Sequence, residues 1–181
     1  MKKIRFLVIL LLVGLTGAFA RIYDEGLLAI YAKIVPKLMA LDHTPRRGRP
    51  HLVILHEPAD VKTARKLAAM IGNDPSSTHR SSLKVEVDTY AKNICERKEV
   101  AALFLLPTDG KTLSKALVCA KKRHILTFAY DPAMLRYGAD LSVYPGERIY
   151  PYANLDALKR HGIRLDPFLL NIAKIYREKI R

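Results

Sequence analysis

The sequence predicts an α/β fold: a single three-layer domain with a mostly parallel sheet of about five or six strands, a C-terminal hairpin at one edge and helices on both faces. Three observations predict it. Val100 to Pro107 (VAALFLLP) is an unbroken apolar run of strand length, and Ile125 to Tyr130 (ILTFAY) is a second. Between them Lys111 to Lys122 carries Leu113, Ala116, Leu117 and Ala120 at helical spacing. Strand, helix and strand, with both strands apolar throughout, mark a parallel βαβ unit buried on both faces.

In chain order, Lys2, Lys3 and Arg5 precede an apolar run, Phe6 to Leu15, and Ala18-Phe19-Ala20 supplies a small-x-small motif. This is the pattern of a secretory signal peptide cut before Arg21. An uncleaved membrane anchor is the alternative reading, although Gly14, Thr16 and Gly17 interrupt the run. Residues 21–181 are then one domain in the periplasm. The full chain of 181 residues carries a net charge of +14, which falls to +11 without Lys2, Lys3 and Arg5. Such a charge favours anionic surfaces, and the export signal argues against nucleic acid.

Asp24 to Asp42 is expected as an amphipathic helix with Leu27, Tyr31, Ile34, Leu38 and Leu41 on one stripe. Pro36 is expected to kink it or split it in two. His43 to Pro50 is a loop whose Arg46, Arg47 and Arg49 are either an anion contact or an exposed connector. His51 to His56 is the first strand, and a helix opened by Pro58 runs to about Ile71. Leu83 to Asp88 alternates apolar and charged residues, so this strand has one wet face and lies at or near a sheet edge. A short helix follows Asp131-Pro132 and stops at Gly138. Asp140 to Tyr144 and Glu147 to Tyr152 read as a hairpin about a Pro145-Gly146 turn, with Pro151 on the edge strand. Asn154 caps a helix through Arg160, and Asp166-Pro167 opens a last helix with Leu169, Leu170, Ala173 and Tyr176 inward.

No metal, catalytic-triad or phosphate-loop pattern is present, and neither a cofactor nor enzymatic turnover is expected. His51 and His56, five positions apart on one strand, point to opposite faces and cannot share a metal. The loops after the apolar strands, where ligands of parallel sheets bind, hold His56 and Glu57, Thr108 and Asp109, and Tyr130 and Asp131. Thr108 or Asp109 is equally a helix cap. Tyr150 and Tyr152 share a strand face, either as a protein-binding surface or as packing against the next helix. Cys95 and Cys119 are the only cysteines. In an oxidising compartment, at the same end of a right-handed βαβ unit, they are expected to bond. The alternative is two separate thiols.

The block from Arg148 to Ile175 resembles the end of the YfiR-like periplasmic family. The matching positions are Asn154, Leu155, Ala157, Arg160, Gly162, Leu169, Leu170, Ala173 and Lys174. The exported start, the helix before the first strand and the cysteine ahead of the central strand are similar too. The chain departs from that pattern at Tyr150-Pro151-Tyr152 and in having no tryptophan. The resemblance implies a non-enzymatic regulator bound to the periplasmic domain of an inner-membrane signalling protein such as a diguanylate cyclase, and a homodimer stays open. Asp60 to Gly146 also looks like one lobe of the periplasmic solute-binding proteins of ABC transporters, which implies the alternative role of a solute-binding component.

Overall fold

A computed structural model describes residues 21–45, 49–73, 83–144 and 148–177. The predicted signal segment from Met1 to Ala20, Arg46, Arg47 and the predicted Pro145-Gly146 turn lie outside the described residues. The chain runs α1 (Glu25–Ala40), β1 (His51–His56), α2 (Val61–Asn73), β2 (Lys84–Thr89), β3 (Ala102–Leu105), α3 (Gly110–Arg123), β4 (Leu126–Ala129), β5 (Leu141–Tyr144), β6 (Tyr150–Asn154), α4 (Leu155–His161), α5 (Pro167–Ile172) and β7 (Lys174–Tyr176). Short 3-10 segments at Pro58–Asp60, Ile94–Glu96 and Pro132–Tyr137 complete it.

The seven strands form one sheet in the order β2-β1-β3-β4-β5-β6-β7, parallel except between β5 and β6. Every residue of β1, β3 and β4 is buried, as their continuous apolar runs require of strands covered on both faces. Leu52, Ile54, Phe104 and Phe128 point to one face and meet Leu28, Tyr31, Val35 and Leu38 of α1 and Ala64, Leu67 and Ile71 of α2. Val53, Leu55, Leu103 and Leu105 point to the other and meet Leu113, Ala116, Leu117 and Ala120 of α3. The edge position read for Leu83 to Asp88 is observed, since β2 ends the sheet. Its Glu86 and Asp88 pair with Arg97, so charge guards the open backbone there.

Four expectations are corrected. The sheet has seven strands rather than five or six. The hairpin is not at the edge, because β7 pairs in parallel with β6, from Tyr152↔Lys174 to Asn154↔Tyr176. Pro151 therefore sits in an interior strand. It is tolerated because the β7 pairing begins one residue later, so no ladder bond is asked of its missing N–H. The last helix is shorter than expected: α5 stops at Ile172, and Tyr176 lies on β7. Finally, Pro36 does not split α1, which is continuous from Glu25 to Ala40. Burial of Val35 and Leu38 on the sheet holds the helix where one backbone hydrogen bond is missing.

Candidate binding surfaces

The caps that end the strands also build the carboxyl edge of the sheet. Asp109 starts α3, its Oδ1 accepting from the N–H groups of Lys111 at 2.9 Å and Thr112 at 3.0 Å. The bonds from Thr112 and Lys111 hold its carboxyl below the usual range. Asp131 caps its 3-10 turn by accepting from Ala133 N–H at 2.8 Å. The chain leaves β1 towards β2 on one side and returns as β3 on the other, so the topological switch point lies between the carboxyl ends of β1 and β3. There the Thr108 hydroxyl donates to the Glu57 carboxylate, joining the two loops. His56 is buried, with Nδ1 2.7 Å from its neighbour's carbonyl, Glu57 O. Of the predicted loop residues, Glu57 and Thr108 are thus brought into contact, and Asp109 and Asp131 serve as caps.

A segment that sequence reasoning left out crosses this edge. Arg21 Nη1 lies 3.3 Å from Asp60 Oδ2 and also donates to Pro107 O. Asp60 is 3% exposed. The ring of Tyr23 packs edge-on against Tyr130, with centroids 5.0 Å apart, and Asp24 N–H donates to the Tyr130 hydroxyl at 3.0 Å. Burial and the nearby Asp60 push the Tyr23 phenol well up. Nothing in the spacing of Asp60, an acid in a helix's first turn, marks it as a partner for a residue so far away. Beside this edge a cleft of about 420 Å³ is lined by Leu55, Glu57, Tyr90, Lys92, Thr112 and Lys115.

At the opposite end a cleft of about 560 Å³ is lined by Arg49, Lys98 and Arg123 together with Asp42 and Glu99. Arg123 donates to Cys95 O at 2.6 Å, at the carboxyl-terminal turn of α3, where a cation offsets the helix dipole. Close by, Cys95 and Cys119 form a disulfide, their Cα atoms 5.3 Å apart, as the sequence led one to expect.

Tyr150 and Tyr152 take part in a larger aromatic face than the hairpin alone suggested. Tyr144 meets Tyr152 edge-on at 5.2 Å, Tyr152 meets Tyr176 at 5.8 Å, and Lys174 Nζ stands 3.7 Å above the Tyr144 ring and 5.4 Å from that of Tyr150. All four rings are half-buried, and β7 leaves its outer edge unpaired among the described residues. Phe168, 62% exposed, and Ile172 share a face of the neighbouring α5. The sequence could not assemble this surface, because Lys174 and Tyr176 read as helix.

A buried polar network also went unread. Asp140 Oδ2 accepts from Thr127 N–H at 2.9 Å and from its hydroxyl at 2.7 Å, and His161 Nδ1 lies 2.8 Å from Asp140 Oδ1. It ties β4 to α4 through buried side chains. Among the described residues no group of three or more His, Cys, Asp or Glu side chains is placed to hold a metal ion, and no helix is long and apolar enough to cross a membrane.

No family model and no curated protein matches the chain. Solved structures do. A conserved domain protein from Vibrio cholerae is similar over 83% of this chain and 60% of its own, with a TM-score of 0.60 and 12% identity. An ABC domain in complex with L-Trp from Streptococcus pneumonia is similar over 82% of this chain and 60% of its own, with a TM-score of 0.56 and 12% identity. The chain thus spans about 60% of the length of the structures it matches. Neither likeness carries the YfiR-like resemblance. What these likenesses establish is the fold, an α/β domain on a seven-stranded, mostly parallel sheet.

Proposed function

We propose that this chain is an exported, non-enzymatic binding protein of the periplasm that regulates an inner-membrane signalling protein by docking on its periplasmic domain. The YfiR-like C-terminal block makes a diguanylate cyclase the first partner to seek. The single observation behind docking is the face of Tyr144, Tyr150, Tyr152 and Tyr176 with Lys174 above it, next to the unpaired edge of β7. Aromatic groups on a rigid sheet bring large contact area at low entropic cost. An open strand edge accepts an added strand. The net charge of +11 that remains without Lys2, Lys3 and Arg5 favours an acidic partner over self-association, although a homodimer through the β7 edge remains an outcome of the test.

The rival reading is a solute-binding component. It is favoured by the likeness to the L-Trp-bound ABC domain and by the cleft of about 420 Å³ at the carboxyl end. Pull-down from solubilised membranes, read by mass spectrometry, separates the two. The regulator reading expects recovery of a sensor or cyclase by the wild type and a loss of at least about tenfold with Y150A/Y152A, the size expected for two aromatic contacts. A tight small-molecule ligand in a thermal-shift screen, with no membrane partner recovered, overturns it in favour of the rival.

A further inference from the structure

The Arg21–Asp60 contact at the switch point has the form of a ligand seated in a site. We propose that Asp60 and the Pro107 carbonyl form a binding site for the guanidinium group of a small solute, and that Arg21 is the chain's own occupant of it. This site stands apart from the aromatic face and does not rest on its role.

A carboxylate as buried as Asp60 requires a cationic partner, since an unpaired ion in that setting is strongly disfavoured. Among the described residues the cation paired with it is Arg21. The 3-10 turn that carries Asp60 is held by its own backbone, Asp60 N–H donating to Glu57 O at 2.9 Å. The charge arrives from a segment ahead of the first helix, 39 residues away. The Arg21 side chain is 46% exposed, so it covers the edge without being enclosed by it. Opposite Asp60 the same nitrogen meets Pro107 O, at the end of β3. A carboxylate and a carbonyl that meet one nitrogen suit one NH2 arm of a guanidinium, whose two hydrogens point in different directions.

The place is the one where open parallel sheets bind ligands. The cleft of about 420 Å³ opens on the α3 side of the same edge, where Leu55, Glu57, Tyr90 and the Cys95–Cys119 bridge line it together with Lys92 and Lys115, so it is not the seat of the cationic head. Tyr90 belongs to both regions: it lines the cleft, and its buried phenol feels Glu57, Tyr23, Arg21 and Asp60. A solute with a guanidinium head therefore competes with Arg21 for Asp60, and its apparent affinity is lowered by the fraction of molecules in which Arg21 is seated.

The test is chemical rescue in the full-length mature protein, with agmatine as the probe and sodium chloride as the control for ionic strength. R21A is expected to melt several degrees below the wild type. Millimolar agmatine raises the melting temperature of R21A markedly, that of the wild type much less, and that of R21A/D60N not at all. Putrescine, which lacks the guanidinium, restores less than agmatine. Failure of agmatine to stabilise R21A, or equal stabilisation of R21A/D60N, overturns the proposal. If R21A does not fold, agmatine is titrated into the wild type while the Arg21 side-chain Nε–H signal is followed by NMR. Displacement of that signal is expected, and a signal unmoved at saturation overturns the site. Neither readout depends on capturing a membrane partner.

Discussion

Tyr31 shows how one atom can join elements far apart in the chain. Its place on the inward stripe of the first helix was legible from the spacing of Leu27, Tyr31 and Leu38. The task of its hydroxyl was not, because the partners lie about a hundred positions on. The hydroxyl meets Ala129 O at 2.8 Å, Tyr130 O at 2.9 Å and Ser142 Oγ at 3.0 Å, and accepts from Val143 N–H at 3.2 Å. It fills the gap where β4 and β5, paired only at Phe128↔Leu141, part company. Tyr31→Phe keeps the ring against Phe104 and leaves Val143 N–H without this acceptor. A loss of about 1–3 kcal/mol in urea unfolding is expected, and an unchanged stability would sink this assignment. Near the other end of β1, His51 is 1% exposed and neither ring nitrogen has a hydrogen bond. Burial pushes its pKa down, against the pull of Glu86, while Lys84 and Arg97 lower it further and Glu99 raises it. A base whose folded pKa lies below its unfolded one binds fewer protons when folded. Its stability contribution is therefore intact above about pH 6.5 and is lost as pH falls below that value. Glu86, held down to about 2 by Lys84 and Arg97, adds a second loss as pH falls from its ordinary value of 4.5 towards 2. Unfolding free energy should thus be level between about pH 7 and 9 and fall in two stages below, while above about pH 10 the upward-shifted phenols of Tyr23, Tyr31 and Tyr90 lower it again. His51→Leu should remove the upper stage alone; the same slope between pH 6.5 and 5 in that variant points to another group.

At the scale of elements, the βαβ unit of β3, α3 and β4 was readable end to end, because a strand buried on both faces must be apolar throughout. The disulfide locks this unit. Cys95 precedes β3, and Cys119 lies in the last turns of α3. The chain-entropy model for a loop of this length gives about 3–4 kcal/mol. C95S/C119S is expected to lose that amount in denaturant unfolding, and two free thiols per denatured, unreduced chain would refute the bond itself. The misreadings fall on short elements. Lys174 to Tyr176 carries too few residues for its pattern to separate strand from helix, and pairing with β6 decided it. The αL turn at Gly162 was legible from the glycine after a basic helix end. That a Cβ there would come within 2.9 Å of His124 Nδ1 was not.

For the molecule as a whole, the proposed export makes a direct prediction. Protein from a native-like host should have a mass beginning at or near Arg21, and retention of Lys2 to Ala20 would favour the anchored form. The sequence by itself determined the class of fold, the parallel core, the place of Leu83 to Asp88 at or near a sheet edge and which two cysteines are able to pair. Each of these follows from local pattern: apolar periodicity, caps and turns act between residues a few positions apart, and two cysteines leave one pairing. Only the tertiary structure decided that β7 covers the hairpin, that Lys174 stands over the tyrosine face, that Asp140 meets His161 in the core and that Arg21 settles on Asp60. Those contacts join residues about 20 to 40 positions apart, and no local periodicity encodes them. They depend on which surfaces remain to be buried once the sheet has formed, a quantity that belongs to the packed molecule rather than to any stretch of it.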